Sequence, residues 1–134
     1  MKVTYVDTGI FMWAVTGDDE RARAALDILD DPDRQLVASF FVRLEILPKP
    51  IYQKMSEQVA EYLKVFAAVP NWVEPDDRLL SAAYTEACVW GLGALDACHV
   101  AAALRAKAEE FVTTERPEKA IHRCKSLQVV SVHP

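Results

Sequence analysis

The sequence is poor in cysteine and in glycine, and both shortages narrow the classes of protein it can belong to. Its three cysteines, Cys88, Cys98 and Cys124, are widely spaced and form no Cys-x-x-Cys pair. This pattern fits reduced thiols in a cytosol better than a disulfide framework or a zinc site. The four glycines form no phosphate-binding loop. Because Ser-His-Asp and Cys-His constellations are also absent, nucleotide binding and acyl transfer have no support.

Excess positive charge and long apolar runs are missing as well. The net charge of −5 argues against a protein that coats nucleic acid non-specifically, but it does not exclude an enzyme whose acidic site needs cations. The most apolar long window, 87–104, is interrupted by Asp96 and His99, so no membrane-spanning helix is predicted. Asp7 stands where a signal peptide needs its apolar region. We therefore expect a cytoplasmic protein without a membrane.

What the sequence does contain is an alternation of short strands and helices. The 134 residues suffice for one domain, 1–134, with its own core. Strands are predicted at Lys2–Val6, Gln35–Ala38, Asn71–Glu74, Glu110–Thr114 and Leu127–Val132. Helices are predicted at Ile10–Val15, Asp18–Asp30, Ser39–Leu47, Tyr52–Ala68, Asp76–Trp90, Ala94–Ala108 and Pro117–Cys124, with a break at 48–50. Such βαβ units predict an α/β fold with a mostly parallel sheet covered on both faces.

Four carboxylates stand out by position. Asp7 ends the first strand and either caps the following helix or serves a site at the carboxyl edge of the sheet. Asp96, in the first turn of its helix, has the same two interpretations. Glu45 shares a helical face with Phe41, so it is expected to face the core, where a glutamate is costly unless it is paired or metal-bound. Glu115 follows the fourth strand, where an exposed loop glutamate is the alternative.

Together these acids indicate a metal site. Carboxylates crowded into one crevice resist ionising together unless a cation neutralises them. Oxygen ligands suit Mg²⁺ or Mn²⁺, which activate water and stabilise charge on a phosphoryl group. The chemistry this favours is phosphodiester hydrolysis.

The segments that carry these acids resemble a known family. Val3–Thr8, Arg43–Leu47, Leu95–Leu104 and Phe111–Glu115 are together similar to the PIN-domain ribonucleases, and most similar to the small VapC-type toxins of bacterial VapBC toxin–antitoxin pairs. The resemblance covers essentially the whole chain. It implies a single three-layer PIN-like domain with a five-stranded parallel sheet of order 3-2-1-4-5, and an endoribonuclease that uses Mg²⁺ or Mn²⁺. It also implies RNA cleavage that leaves a 3′-hydroxyl and a 5′-phosphate, a cognate antitoxin that inserts a segment into the groove, and frequently a homodimer.

The resemblance also assigns roles by position. Asp7, Glu45 and Asp96 match the three core acids that would hold the metal. Glu115 falls where the family most often has aspartate, which is a departure, although its longer side chain still allows it to reach a second metal or a bound water. Thr8 and Thr114 match polar neighbours that would hydrogen-bond the ligands or the attacking water.

Other residues near these motifs have less specific predictions. Arg43 and Arg116 are the basic residues most expected to contact substrate or neighbouring acids. His99 is expected to pack or to hydrogen-bond a ligand rather than to bind the metal, because hard oxygen-bound cations do not favour imidazole. Trp13, Trp72 and Trp90 are expected in the core rather than as base-stacking platforms.

Two other functions were compared with the nuclease. A PIN-like domain that no longer cleaves and acts as an RNA- or protein-binding regulatory module stays open, because of the departure at Glu115 and the acidic net charge. An aspartyl-phosphate hydrolase with Asp7 as its nucleophile needs a second aspartate two positions on, where Gly9 stands.

Overall fold

Strands and helices alternate along the chain in the computed structural model, which describes residues 1–134. The strands are β1 (Lys2–Val6), β2 (Arg34–Ser39), β3 (Asn71–Val73), β4 (Glu110–Thr113) and β5 (Gln128–Ser131). The helices are α1 (Thr8–Thr16), α2 (Asp19–Leu29), α3 (Phe40–Ile46), α4 (Pro48–Tyr52), α5 (Ser56–Phe66), α6 (Asp77–Trp90) and α7 (Ala94–Arg105), and a 3₁₀ turn covers Ala120–Arg123.

The five strands form one sheet in the order β3-β2-β1-β4-β5, and every neighbouring pair is parallel. Parallel neighbours need a crossover between them, and here helices provide most of those crossovers. The predicted α/β class and the strand order 3-2-1-4-5 are confirmed. Because all five strands point the same way, their carboxyl ends meet at one edge of the sheet.

Helices cover both faces of the sheet, and two apolar clusters result. Tyr5 and Phe111 point to the side of α6 and α7, whereas Val6 and Val112 point to the side of α1, α2 and α5. Successive strand residues alternate between the faces. The central strands are therefore apolar on both sides and hold the loops at their ends in fixed positions.

The proline pair in 48–50 begins a helix instead of preventing one. Pro48 is the first residue of α4, a position where its missing N–H costs no hydrogen bond and its fixed φ suits the helix. The next helix begins at Ser56 rather than at Tyr52, because Lys54 has a left-handed φ of 59°. The predicted break is thus displaced by a few residues toward the C-terminus.

No single helix is long and apolar enough to cross a membrane, but α6 and α7, bent by 116° where they meet, pass the length and composition test together.

Candidate active site

The carboxyl edge of the sheet carries an acid-lined cavity of about 450 Å³. Asp7 follows β1 directly, and Glu115 lies two residues after β4. Glu45 reaches the same cavity from α3, the helix that begins where β2 ends. The cavity is lined by Asp7, Thr8, Gly9, Met12, Trp13, Thr16, Gly17, Asp18, Arg21, Glu45, Thr114 and Glu115.

Asp7 both caps a helix and faces this cavity, so the two interpretations of the sequence are compatible. It is the N-cap of α1, and one carboxylate oxygen, Oδ1, accepts the N–H of Thr8 at 2.8 Å. The other, Oδ2, accepts the hydroxyl of Thr113 at 2.7 Å. The residue is only 8% exposed. Its carboxylate is therefore held in one orientation by two neighbouring elements, α1 and β4.

Glu45 does not face the core, contrary to the expectation from the sequence. Its side chain is 29% exposed, while Phe41, one turn earlier, is buried. The carboxylate lies at the cavity wall, where Oε1 accepts hydrogen bonds from the Thr8 hydroxyl at 2.8 Å and from Nε2 of His99 at 2.5 Å. Burial favours a higher pKa for Glu45, but these two hydrogen bonds and the charge of His99 outweigh it and lower the pKa.

His99 is the centre of a buried hydrogen-bonded chain. It is 1% exposed, and its Nδ1 lies 2.7 Å from the hydroxyl of Tyr5. That hydroxyl lies 2.7 Å from Oγ of Ser39, which in turn accepts the N–H of Phe41 and caps α3. The chain therefore ties β1, α3 and α7 together behind the carboxylate of Glu45.

The charge of His99 is set by its acidic neighbours. Burial alone lowers the pKa of an imidazole, but the hydrogen bond from His99 to Glu45 and the charges of Asp7, Glu45 and Asp96 outweigh it, so the pKa of His99 is raised. Its Nε2 also lies 3.9 Å from Oδ1 of Asp7. The raised pKa favours the protonated, positively charged form of His99 at the back of the site, and its placement agrees with the expectation that it packs and hydrogen-bonds near the acids.

Asp96 lies in the first turn of α7, and both its partial burial and the neighbouring acids act on its pKa. Burial raises its pKa, and the charge of Asp7 raises it further. Glu115 and Glu45 add to this while His99 opposes it, and the result is a pKa of about 6 instead of 3.8. Asp96 is not among the residues that line the cavity. It nevertheless lies close enough to feel the charges of all three other acids.

The segment after β4 places its threonines differently from the prediction. Thr113, not Thr114, hydrogen-bonds Asp7, and Thr113 also accepts the N–H of Glu115 at 3.1 Å. Thr114 instead packs against Gly9, where an added Cβ would lie 2.1 Å from the Thr114 Oγ1. Glu115 itself is exposed at the cavity mouth. Glycine at position 9 therefore lets α1 and the end of β4 approach each other.

The two arginines proposed to meet acids or substrate have different surroundings. The guanidinium of Arg43 lies 4.3 Å from the ring centre of Trp72 and 5.3 Å from that of Phe66. It forms no ion pair with a site acid, so the structure assigns it to aromatic packing. Arg116 remains exposed next to Glu115, and its Nε lies 3.5 Å from Nε2 of His133.

Three contacts were not predicted from the sequence: Thr113 with Asp7, Tyr5 with His99, and Ser39 with Tyr5. Alternation along β4 is the signal for Thr113, because it shares a face with Phe111 rather than with Val112. No local signal identifies the Tyr5–His99 contact, since the two residues are 94 positions apart.

The donor set fits a hard divalent cation, although no three His, Cys, Asp or Glu side chains converge in a preformed metal-binding group. The acids at this edge offer carboxylate oxygens, which Mg²⁺ and Mn²⁺ prefer. The pKa of Asp96 is raised first by burial and then by the negative charges of Asp7, Glu115 and Glu45, which His99 opposes. A divalent cation held by these acids would offset their negative charges.

The fold and the acidic cleft define an α/β protein with a site at the carboxyl edge of a five-stranded parallel sheet. The PIN-domain family model matches residues 4–117. The chain belongs to the PIN-domain family, whose members are generally nucleases.

Solved structures with the same fold include three toxin–antitoxin assemblies. A toxin–antitoxin complex from Klebsiella pneumoniae matches with a TM-score of 0.74 at 17% identity, covering 97% of this chain and 98% of that chain. VapBC-1 from nontypeable Haemophilus influenzae gives 0.73 at 17%, with 97% and 98% covered. VapBC2 from Rickettsia felis, bound to a promoter DNA fragment, gives 0.71 at 18%, with 96% and 98% covered. A comparison with curated proteins gave no match.

Proposed function

We propose that this chain, residues 1–134 as one PIN-like domain, is a metal-dependent endoribonuclease that hydrolyses RNA phosphodiester bonds. The observation that carries the proposal is the gathering of four acids at the carboxyl edge of the sheet, where Asp7, Glu45 and Glu115 lie near enough to Asp96 for their charges to add to burial in raising its pKa. This happens beside an open cavity, in a fold whose family is generally nucleolytic. Charge of this kind is tolerated where a cation is to be bound.

Asp7, Glu45 and Asp96 would hold Mg²⁺ or Mn²⁺, and Glu115 at the cavity mouth would reach a second cation or a water. A divalent cation held there supplies an activated water and neutralises charge that develops on the phosphoryl group. Glu115 stands where the resemblance places an aspartate, and its side chain is one methylene longer.

The chain's own residues prepare the site by fixing the acids. Thr113 and the backbone of Thr8 hold the two oxygens of Asp7. The Thr8 hydroxyl and His99 hold Glu45. Ligands fixed by neighbouring hydrogen bonds lose little freedom when they bind a metal, which improves affinity and geometry.

We further propose that the protein is the toxin of a type II toxin–antitoxin pair in the cytoplasm, with a cognate antitoxin as its partner and a homodimer as its assembly. Support comes from the fold shared with toxin–antitoxin complexes over nearly the full length of both chains.

A second candidate, a PIN-like module with weakened or no cleavage that binds RNA or protein, is favoured by one observation. Oε1 of Glu45 already accepts hydrogen bonds from both His99 and Thr8. The protein itself therefore partly compensates the negative charge of one proposed metal ligand. Glu115→Asp distinguishes the two candidates. A large gain of cleavage would indicate an attenuated nuclease, whereas no cleavage by either form would favour a binding module.

The direct test is cleavage of end-labelled RNA by purified protein with Mn²⁺. We expect cleavage that is abolished by EDTA and by Asp7→Asn. Asp27→Asn, on the exposed face of α2, is the matched control and should cut like the wild type. Products should carry a 3′-hydroxyl and a 5′-phosphate. If the wild type cuts no RNA with Mn²⁺, or if Asp7→Asn cuts equally well, the nuclease proposal is wrong.

A further inference from the structure

Four side chains form a continuous strip along one rim of the acidic cavity, and we call them the rim strip. The guanidinium of Arg21 lies 5.2 Å from the ring centre of Trp13. The Trp13 ring lies 6.1 Å from that of His133, and Nε2 of His133 lies 3.5 Å from Nε of Arg116. The order along the rim is therefore cation, indole, imidazole, cation. Trp13 and Arg21 also line the cavity itself.

Trp13 differs from the other two tryptophans. The indole N–H groups of Trp72 and Trp90 donate to Val69 O at 3.0 Å and to Glu86 Oε2 at 3.1 Å. The indole N–H of Trp13 has no such acceptor, and since no buried side-chain nitrogen lacks a partner, this N–H is open to solvent. Trp13 packs one part against the core and presents another part to the cavity, so it is not the purely core residue expected from the sequence.

The two arginines of the strip are unpaired cations. Arg34 and Arg105 each form an ion pair with an acid, but neither Arg21 nor Arg116 has a carboxylate within ion-pair distance. Arg21 is also the only cationic side chain among the residues that line the cavity. In a chain of net charge −5, two free guanidinium groups beside an acidic cleft are the available contacts for phosphates.

We propose that the rim strip binds single-stranded RNA and leads it into the acidic cleft, with a base stacked on Trp13 and flanking phosphates on Arg21 and Arg116. This rests on the proposed function and adds how that site selects its substrate. Aromatic side chains alternating with arginines hold single strands, because unpaired bases offer a π-face and the backbone offers charge. A duplex keeps its bases stacked inside and offers only phosphates to such a surface.

The test is fluorescence anisotropy with a labelled single-stranded oligoadenylate RNA of about ten nucleotides, in EDTA so that no cleavage occurs. Arg21→Ala should weaken binding by about five- to tenfold. It should also reduce the steepness of the plot of log association constant against log salt concentration by about the amount that one lost phosphate contact accounts for. Arg116→Ala should behave in the same way. Arg23→Ala, which removes an equal charge from the exposed face of the same helix, is the matched control and should bind like the wild type.

Stacking is tested separately from charge. Trp13→Leu keeps apolar volume against the core but removes the indole, and we expect at least about fivefold weaker binding with an unchanged salt slope. Trp13→Phe keeps an aromatic face and should recover most of that loss. Circular dichroism checks that both variants are folded. A competing RNA duplex or an acidic peptide should displace the single strand only weakly.

The outcomes separate this proposal from the proposed function. If the wild type cleaves RNA with Mn²⁺ but the Arg21, Trp13 and Arg116 variants bind like Arg23→Ala, the rim strip is wrong and the nuclease stands. Equal affinity for duplex, or tighter binding of the acidic peptide, also overturns it. If the strip variants lose binding while the wild type cleaves nothing, the rim strip stands and the nuclease does not.

Discussion

Replacing His99 tests the hydrogen-bonded chain that supports the acids. His99→Ala removes a side chain that is 1% exposed, its contact with Tyr5 at 2.7 Å and its hydrogen bond to Glu45 at 2.5 Å. Tyr5 keeps Ser39 as a partner, and Glu45 is solvated enough to bond water. The loss is therefore the two hydrogen bonds and a cavity, about 3 to 5 kcal/mol in the free energy of unfolding.

The assay is urea unfolding of the metal-free protein, with His122→Ala as the matched control. His122 is only half-buried and has one long contact, 3.1 Å, to a backbone carbonyl, so its replacement should cost about 1 kcal/mol or less. His99→Gln, which preserves one hydrogen bond, should fall between the two. A loss below about 1 kcal/mol for His99→Ala would refute the supporting role of the chain.

The difference in unfolding free energy between the wild type and His99→Ala should depend on pH. The pKa of His99 in the folded state is raised above 6.5. Protonation of His99 therefore stabilises the fold fully below the pKa of the unfolded state, and this contribution is lost as pH rises through the pKa of the folded state. The stability difference between wild type and His99→Ala should therefore be larger at acidic than at alkaline pH. A difference that grows with rising pH would contradict the assigned charge.

Three further predictions concern other parts of the site. Asp96→Asn should raise the melting temperature of the metal-free protein at neutral pH. The folded-state pKa of Asp96 is about 6, so its protonated form stabilises the fold and this stabilisation is lost as pH rises through that value. A lower melting temperature for Asp96→Asn would contradict this. Gly9→Ala should cost about 1 to 3 kcal/mol in urea unfolding because its Cβ meets Thr114, and Thr114→Ala in the same chain should recover most of the loss. Arg43→Ala should cost about 1 to 2 kcal/mol by losing its contact with Trp72, yet leave RNA cleavage unchanged.

The arrangement of strands and the positions of the acids could be predicted because they follow from local patterns. Short runs of β-branched and aromatic residues alternate along the chain with segments whose apolar residues have helical spacing. This pattern leads to a parallel sheet and places Asp7 at its carboxyl edge. The helix cap at Ser39 follows from residue type alone.

Contacts made by long or distant side chains could not be predicted in this way. Arg43 can reach acids or aromatic rings from the same backbone position, and only the tertiary packing of Trp72 decides between them. Glu45 belongs to the same helix as buried Phe41, yet its carboxylate extends beyond the core to Thr8 and His99. The choice between Thr113 and Thr114, by contrast, follows from the alternation of faces along β4 once Phe111 is placed on the same face as Thr113.

The central claim, that these acids form a divalent-cation site, is tested most directly by Mn²⁺ binding to the isolated protein, followed by electron paramagnetic resonance of free Mn²⁺. We expect binding at neutral pH that weakens as pH falls below about 6, where Asp96 becomes protonated. Asp7→Asn and Asp96→Asn should each weaken it by about tenfold or more. A wild type that binds no Mn²⁺, or variants that bind it equally well, would contradict the claim.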